Sequence, residues 1–165
     1  IKTAELASRL EIEVGVDFHE ISGKKPEILE GLREKASYVF LNIEELRGVS
    51  GEHDLDRAVR KLDEMLKPKA IFVKMGEKGS TISYSGKLIN MPAYRVKAVD
   101  TTGCGDAFDA GVIYGIVRQL SLKEAARLGN MMGAYKATGL GPRHLPKGLK
   151  DLNTLLHKAE TPAKG

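Results

Sequence analysis

The sequence contains no tryptophan, and aromatic residues make up only 5% of its 165 positions. That is little surface for stacking the bases of a single-stranded nucleic acid. Cys104 is the only cysteine, which excludes a disulfide within the chain and fits a reducing, cytoplasmic compartment. No apolar run approaches the length of a membrane span, and the start carries no signal-peptide pattern. His19, His53, His144 and His157 are scattered without metal-ligand spacing. There is no block of like charge, no low-complexity tract and no internal repeat. The formal net charge is +4, with Lys and Arg interleaved among Asp and Glu as on ordinary solvated helix faces. Nucleic acid and membrane are therefore not the expected partners. An anionic small substrate such as a nucleotide suits this charge balance.

What is present reads as one globular domain. Hydrophobic residues make up 42% and charged residues 29%, enough to bury a core. Residues 1–10 read as the end of a helix, and the alternation over 12–18 predicts a strand. Gly23 and Pro26 punctuate, with Pro26 near a helix start. Helical spacing follows over 27–35, 43–48 and 52–66, the last through Leu55, Ala58, Val59, Leu62 and Leu66. The apolar runs 38–41 and 70–73 predict buried strands between them. Ser85-Gly86-Lys87 separates two further strands, 81–84 and 88–91, as a hairpin. Val96–Val99 predicts a short extended piece, followed by helices over 104–119, from Ser121 to about 138, and over 148–158. Ser121 and Glu124 form a capping-box pair. Residues 161–165 read as a flexible tail. Strands alternating with helices imply an α/β fold with a mainly parallel sheet and an antiparallel edge.

The chemistry concentrates in Asp100-Thr101-Thr102-Gly103-Cys104-Gly105-Asp106-Ala107-Phe108. An extended piece ends, small residues follow and a helix begins. The first N–H groups of a helix lack intrahelical partners and lie at the positive end of its dipole, where an anion binds. Gly103, Cys104 and Gly105 would supply such donors. Asp106, in the first helical turn, is placed to accept the proton of a hydroxyl that attacks a phosphoryl group. The same residues also suit a plain helix start, with an aspartate complementing the dipole. Asp109, three residues on, is a reserve base, or a solvated or substrate-rim acid.

This segment resembles the second signature of the PfkB (ribokinase-like) carbohydrate kinases, in which Ala usually stands at the position of Cys104. The resemblance implies a three-layer αβα domain, with Asp106 as catalytic base and Gly103, Cys104 and Gly105 as an anion hole. Asn42-Ile43-Glu44-Glu45 resembles the family's Asn-x-x-Glu motif. It implies that Asn42 approaches the nucleotide phosphates and that Glu45 positions Mg2+ through water. A helix N-cap at Asn42 with acids behind it is the alternative. Lys74 to Gly79 resembles the family's nucleotide-binding turn, with Lys74 near phosphate and Gly76 and Gly79 allowing close backbone approach. Asn130 matches a residue near adenine, or is simply a solvent-facing helix residue. Gly139-Leu140-Gly141-Pro142 matches a loop that, with Asp100 and Thr102, holds a monovalent cation such as K+ in some members. Lys136 stands at one of these positions, where its side chain competes with such an ion.

The resemblance implies phosphorylation of a sugar hydroxyl by ATP or another nucleoside triphosphate, with nucleosides and vitamin-like alcohols as other family substrates. It covers the C-terminal half of the family's domain, so residues 1–160 are expected to be its nucleotide-binding and catalytic-base portion. The first signature, with its paired glycines, has no match, and the chain opens on Ile1 rather than Met. Both suggest a fragment, weak or inactive alone, that needs the N-terminal half of the same kinase or pairs with a second copy. A non-catalytic nucleotide- or phosphate-binding module on the same fold is the rival reading, and a nucleic-acid-binding protein the weaker one.

Overall fold

The structure is a computed structural model that describes residues 1–19 and 26–158. The punctuation expected at Gly23 and the tail expected at 161–165 lie outside these residues. The chain divides into two compact units, one of residues 1–74 with 81–89, the other of residues 75–80 with 90 onward.

The first unit carries α1 (Lys2–Arg9), β1 (Gly15–Asp17), α2 (Pro26–Leu32), β2 (Tyr38–Asn42), α3 (Ile43–Ser50), α4 (Leu55–Leu66) and β3 (Ala70–Lys74). The chain then forms β4 (Ser80–Tyr84) and β5 (Lys87–Met91). The five strands lie side by side in chain order. The first two pairings run parallel, with Val16 opposite Val39 and Val39 opposite Ile71. A parallel neighbour needs a long crossover, and helices occupy both: α2 between β1 and β2, then α3 and α4 between β2 and β3. β4 and β5 meet at Ser85 and Gly86, both with positive φ (50° and 71°), the geometry of a tight hairpin turn.

Central strands read as unbroken apolar runs because both faces are covered. Val39, Phe40 and Leu41 of β2 and Ile71, Phe72 and Val73 of β3 are all buried. Phe40 and Phe72, register partners, stack with ring centroids 5.2 Å apart. Ala58, Val59, Leu62 and Leu66 of α4 form the buried row of that helix, as its spacing implies.

Two expected boundaries move. The strand expected over 12–18 shrinks to 15–17, because the Ile12 N–H turns back to the Ala7 carbonyl (2.9 Å) and closes α1. The helix expected from Glu52 starts at Leu55, because the Asp54 side chain accepts from the Arg57 N–H at 3.0 Å. Val96–Val99, expected as a short extended piece, belongs to no helix or strand. The Val99 N–H donates to the Ala137 carbonyl at 2.7 Å, tying the segment to a helix end.

The second unit is built on α5 (Cys104–Val117), α6 (Leu122–Ala137) and α7 (Leu149–Lys158). Small residues recur every fourth position on both partners: Ala107, Gly111 and Gly115 on α5, and Ala125, Gly129 and Gly133 on α6. This spacing makes ridges that interdigitate. The backbones come so close that a Cβ on Gly111 would stand 2.9 Å from the Gly129 Cα, and one on Gly115 2.8 Å from the Ala125 Cα. Gly133 brings α6 against the first turn of α5, where a Cβ would meet the Cys104 carbonyl at 3.3 Å. Gly111→Leu should therefore force the helices apart and destabilise the protein by about 2 kcal/mol. Urea denaturation of the variant against wild type measures this, and an unchanged midpoint would show that the packing tolerates the added side chain.

Candidate functional site

α5 differs from its neighbours in how it begins. α3, α4 and α6 start on side-chain caps from Asn42, Asp54 and Ser121. α5 starts at Gly103, in the left-handed region at φ 80°, with no side-chain cap. Glycine takes this conformation without strain, and Pro142 fills the space where its Cβ would be, at 3.3 Å. Of the three expected donors, the Cys104 N–H already donates to the Thr101 carbonyl at 3.1 Å. Among the described residues, the N–H groups of Gly103, Gly105 and Asp106 have no partner. Three donors therefore stay open at the positive end of a 14-residue helix. Burial raises the Cys104 thiol above its ordinary pKa, which disfavours a thiolate nucleophile.

Asp106 is exposed in the first turn, and its carboxylate has no partner among the described residues. A carboxylate left unpaired beside open N–H donors can accept a proton. Asp109 corrects an expectation. It is buried, only 8% exposed, and so is not a solvated acid.

Behind this turn Asp100 joins two loops. Its Oδ1 accepts from the Thr102 N–H at 2.9 Å and its Oδ2 from the Gly141 N–H at 2.8 Å. The Thr102 hydrogen bonds, then that of Gly141 and the charge of Lys136, hold the Asp100 carboxyl down at about 2, against an ordinary 3.8. Lys136, expected to compete with a monovalent cation, lies at this loop. The Lys136 ammonium, with no exposed surface, donates to the Asp100 carbonyl at 2.7 Å and the Gly139 carbonyl at 3.5 Å. The Gly141 carbonyl accepts from the His144 N–H at 3.3 Å. The Asp100, Gly139 and Gly141 carbonyls are thus already engaged, and a dissolved cation there would meet the charge of Lys136.

The turn after β3 closes on itself, with the Met75 N–H donating to the Gly79 carbonyl at 2.8 Å. A Cβ on Gly79 would stand 2.1 Å from the Met91 carbonyl oxygen, whereas one on Gly76 would meet nothing within 4 Å. Close packing against the chain itself accounts for Gly79; at Gly76, with φ 60°, the backbone conformation rather than crowding favours glycine. Asn130 is buried rather than solvent-facing. Its Nδ2 donates to the Met91 and Pro92 carbonyls at 3.0 and 3.2 Å, leaving its amide oxygen to offer a ligand.

In the first unit Asp17, Asn42 and Lys74 end the parallel strands β1, β2 and β3. The carboxyl edge of such strands is where open α/β sheets bind ligands. The helix-cap alternative for Asn42 is fully formed. Its Oδ1 accepts from the Glu44 and Glu45 N–H groups at 2.9 and 2.8 Å, and Glu45 Oε2 accepts from the Asn42 N–H at 2.7 Å. Among the described residues the Asn42 Nδ2 has no partner, and Glu45 Oε1 faces His19 Nδ1 at 3.6 Å. Lys74 pairs with Asp17, its Nζ 3.3 and 3.4 Å from the two carboxylate oxygens. Asp17 was missed from the sequence. Its only signal is its place at the last position of a strand. Among the described residues no three His, Cys, Asp or Glu gather as a metal cluster, and no helix is long and apolar enough to cross a membrane.

The family model described as pfkB family carbohydrate kinase matches residues 7–147. The chain belongs to the pfkB family. A fructokinase of Klebsiella pneumoniae is 37% identical over 81 residues, which is 49% of this chain and 26% of the fructokinase. The solved aminoimidazole riboside kinase of Salmonella enterica, complexed with aminoimidazole riboside and an ATP analogue, is 27% identical. It superposes with a TM-score of 0.82 over 94% of this chain and 56% of its own. A ribokinase of Thermotoga maritima is 27% identical, with a TM-score of 0.80 over 94% of this chain and 52% of its own. The pfkB chain thus has the ribokinase-like α/β fold, and it spans well under two thirds of each of these relatives.

Asp100 links pH to stability with a definite sign. Its folded pKa is depressed, so its contribution is complete above about 4 and is lost as pH falls from 3.8 toward 2. Asp100→Asn should melt below wild type at pH 6, and the gap should narrow as both are acidified through this window. A gap that stays constant down to pH 2 would mean that the charge of Asp100 contributes nothing.

Proposed function

We propose that this chain is the nucleotide-binding and catalytic-base portion, residues 1–160, of a kinase that transfers phosphate from ATP to a hydroxyl of a sugar or sugar-like alcohol. The observation that carries this is the start of α5, where the N–H groups of Gly103, Gly105 and Asp106 and the carboxylate of Asp106 all lack partners among the described residues. The substrate oxygen attacks the γ-phosphorus while its proton passes to Asp106. The bond from phosphorus to the β-bridging oxygen breaks, and ADP departs with that electron pair. Charge spreads over the equatorial oxygens of the transferring group, and the open N–H groups stabilise it without reorganising.

Asn42, through its open Nδ2, and Lys74 are assigned to the phosphates. Gly76, Gly79 and Asn130 are assigned to the nucleotide. Glu45 keeps one carboxylate oxygen outside its capping bond. A single carboxylate with retained waters and substrate phosphates suits Mg2+, which when bound would neutralise phosphate charge. The aminoimidazole riboside kinase was solved with an ATP analogue, which supports ATP as donor. The fructokinase, the ribokinase and the riboside kinase support a sugar or ribosyl hydroxyl as acceptor. A lone thiol, Cys104, fits a cytoplasmic enzyme. Substrate hydroxyls need further partners, which the N-terminal half of the family domain or a second copy would supply, so this chain alone is expected to turn over weakly or not at all.

Phosphoryl transfer by the natural protein that contains this chain, over a panel of sugars and nucleosides, tests the reading. Asp106→Asn should lose at least ~100-fold in kcat while nucleotide affinity persists. Full activity in the variant would remove Asp106 as base. A wild type that binds nucleotide and phosphorylates nothing would favour the non-catalytic module.

A further inference from the structure

Among the described residues, Lys136 is the one buried lysine or arginine, with 0% of its surface exposed. An ammonium out of water is costly unless oxygens replace its hydration. Here they do. Nζ lies 2.7 Å from the Asp100 carbonyl, 3.5 Å from the Gly139 carbonyl and 3.9 Å from Asp100 Oδ2. Two carbonyls and one carboxylate oxygen form the kind of cage that a dehydrated monovalent cation would need, and an ammonium group matches K+ in charge and approximately in size.

We propose that Lys136 is a tethered monovalent cation: its ammonium fills the oxygen cage between residues 100–102 and 139–141, so that the anion-binding turn before α5 needs no dissolved K+. The side chain grows from the last turn of α6, so its charge is delivered by the fold itself. The Asp100 whose carbonyl it holds also fixes the Thr102 and Gly141 N–H groups. Residue 103, the first of α5's open donors, follows directly from that clamp. The His144 ring packs against this loop: it would collide with a Cβ on Gly139 at 2.4 Å and stacks on Tyr135 at 5.1 Å. Lys136 touches no substrate in this account and is a positioning residue.

The consequence for phosphoryl transfer rests on the kinase reading above, but the occupancy of the cage does not, so melting is the readout that separates the two. The natural protein containing this chain is melted in KCl, NaCl and choline chloride at equal ionic strength, as wild type, Lys136→Ala and Lys136→Met. Wild type should melt at one temperature in all three salts. Lys136→Ala empties the cage and should melt lower in choline, then recover by at least ~3 °C in KCl as the ion takes the vacated place. Lys136→Met keeps the stem without the charge and should melt low in every salt.

A wild type stabilised by K+ over choline would overturn the proposal, because an ion would then bind despite Lys136. So would a folded Lys136→Ala that ignores cation identity, since the lysine would then be only a structural bond. Lys136→Ala that folds only in KCl supports the tethered cation, and failure to fold in any salt counts against it.

Discussion

The close approach of α5 and α6 is the constraint on which the candidate phosphate turn depends. Their backbones meet through Gly111, Gly115 and Gly129, where even a methyl group would collide. Packing at this distance leaves little freedom to slide or tilt. Gly133 then lets α6 pass under the Cys104 carbonyl, so the first turn of α5 is held by the same contact. The N–H groups that this turn leaves open are placed by helix packing rather than by a flexible loop. That is the kind of support a site needs if its donors are to be in position before the charge develops.

A second constraint acts from behind, through charge. Asp100 takes one backbone N–H from each of two loops, and its carbonyl takes the buried ammonium of Lys136. Hydrogen bonds to the charged form keep the carboxylate ionised well below ordinary pH. Lys136 is the buried member, and removal of the Asp100 contacts would leave its ammonium without the oxygens that replace its hydration. Helix packing sets where α5 begins, and this polar knot sets the path of the chain into it.

Much of this could be read from the sequence, for identifiable reasons. The buried strands at 38–41 and 70–73 announce themselves as apolar runs, and α4 by its spacing, because both patterns record what each face touches. Ser121 with Glu124 marks a helix start by the chemistry of the cap itself. What could not be read was what each residue meets. Val96–Val99 reads as a short extended piece, but the Val99 N–H goes to the end of α6, a long-range partner that no window of sequence contains. Asp109 shares its residue type and helix with Asp106 but faces inward. Exposure depends on what packs alongside, and residue type says nothing of it. Lys136 could be placed at the cation loop from the resemblance, but only the geometry reveals that its ammonium sits on the carbonyls.

Asn42 bears on how structural and chemical duties share a side chain. Its Oδ1 caps α3, and the Glu45 carboxylate returns the bond to the Asn42 backbone. Such an assembly would ordinarily close the question of a binding role. An amide, however, has two ends. Capping fixes the oxygen and thereby constrains the Nδ2 donor, just as the returned bond on Oε2 of Glu45 leaves Oε1 outside the cap, 3.6 Å from His19 Nδ1. A residue that must present one polar atom to a phosphate in a single orientation gains from having its other atom tied to the backbone. In the proposed reaction, the cap and the phosphate contact are therefore not competing explanations of the same residue. The first is the physical means by which Asn42 and Glu45 would perform the second, and Asp106, free of any cap, is left with the proton.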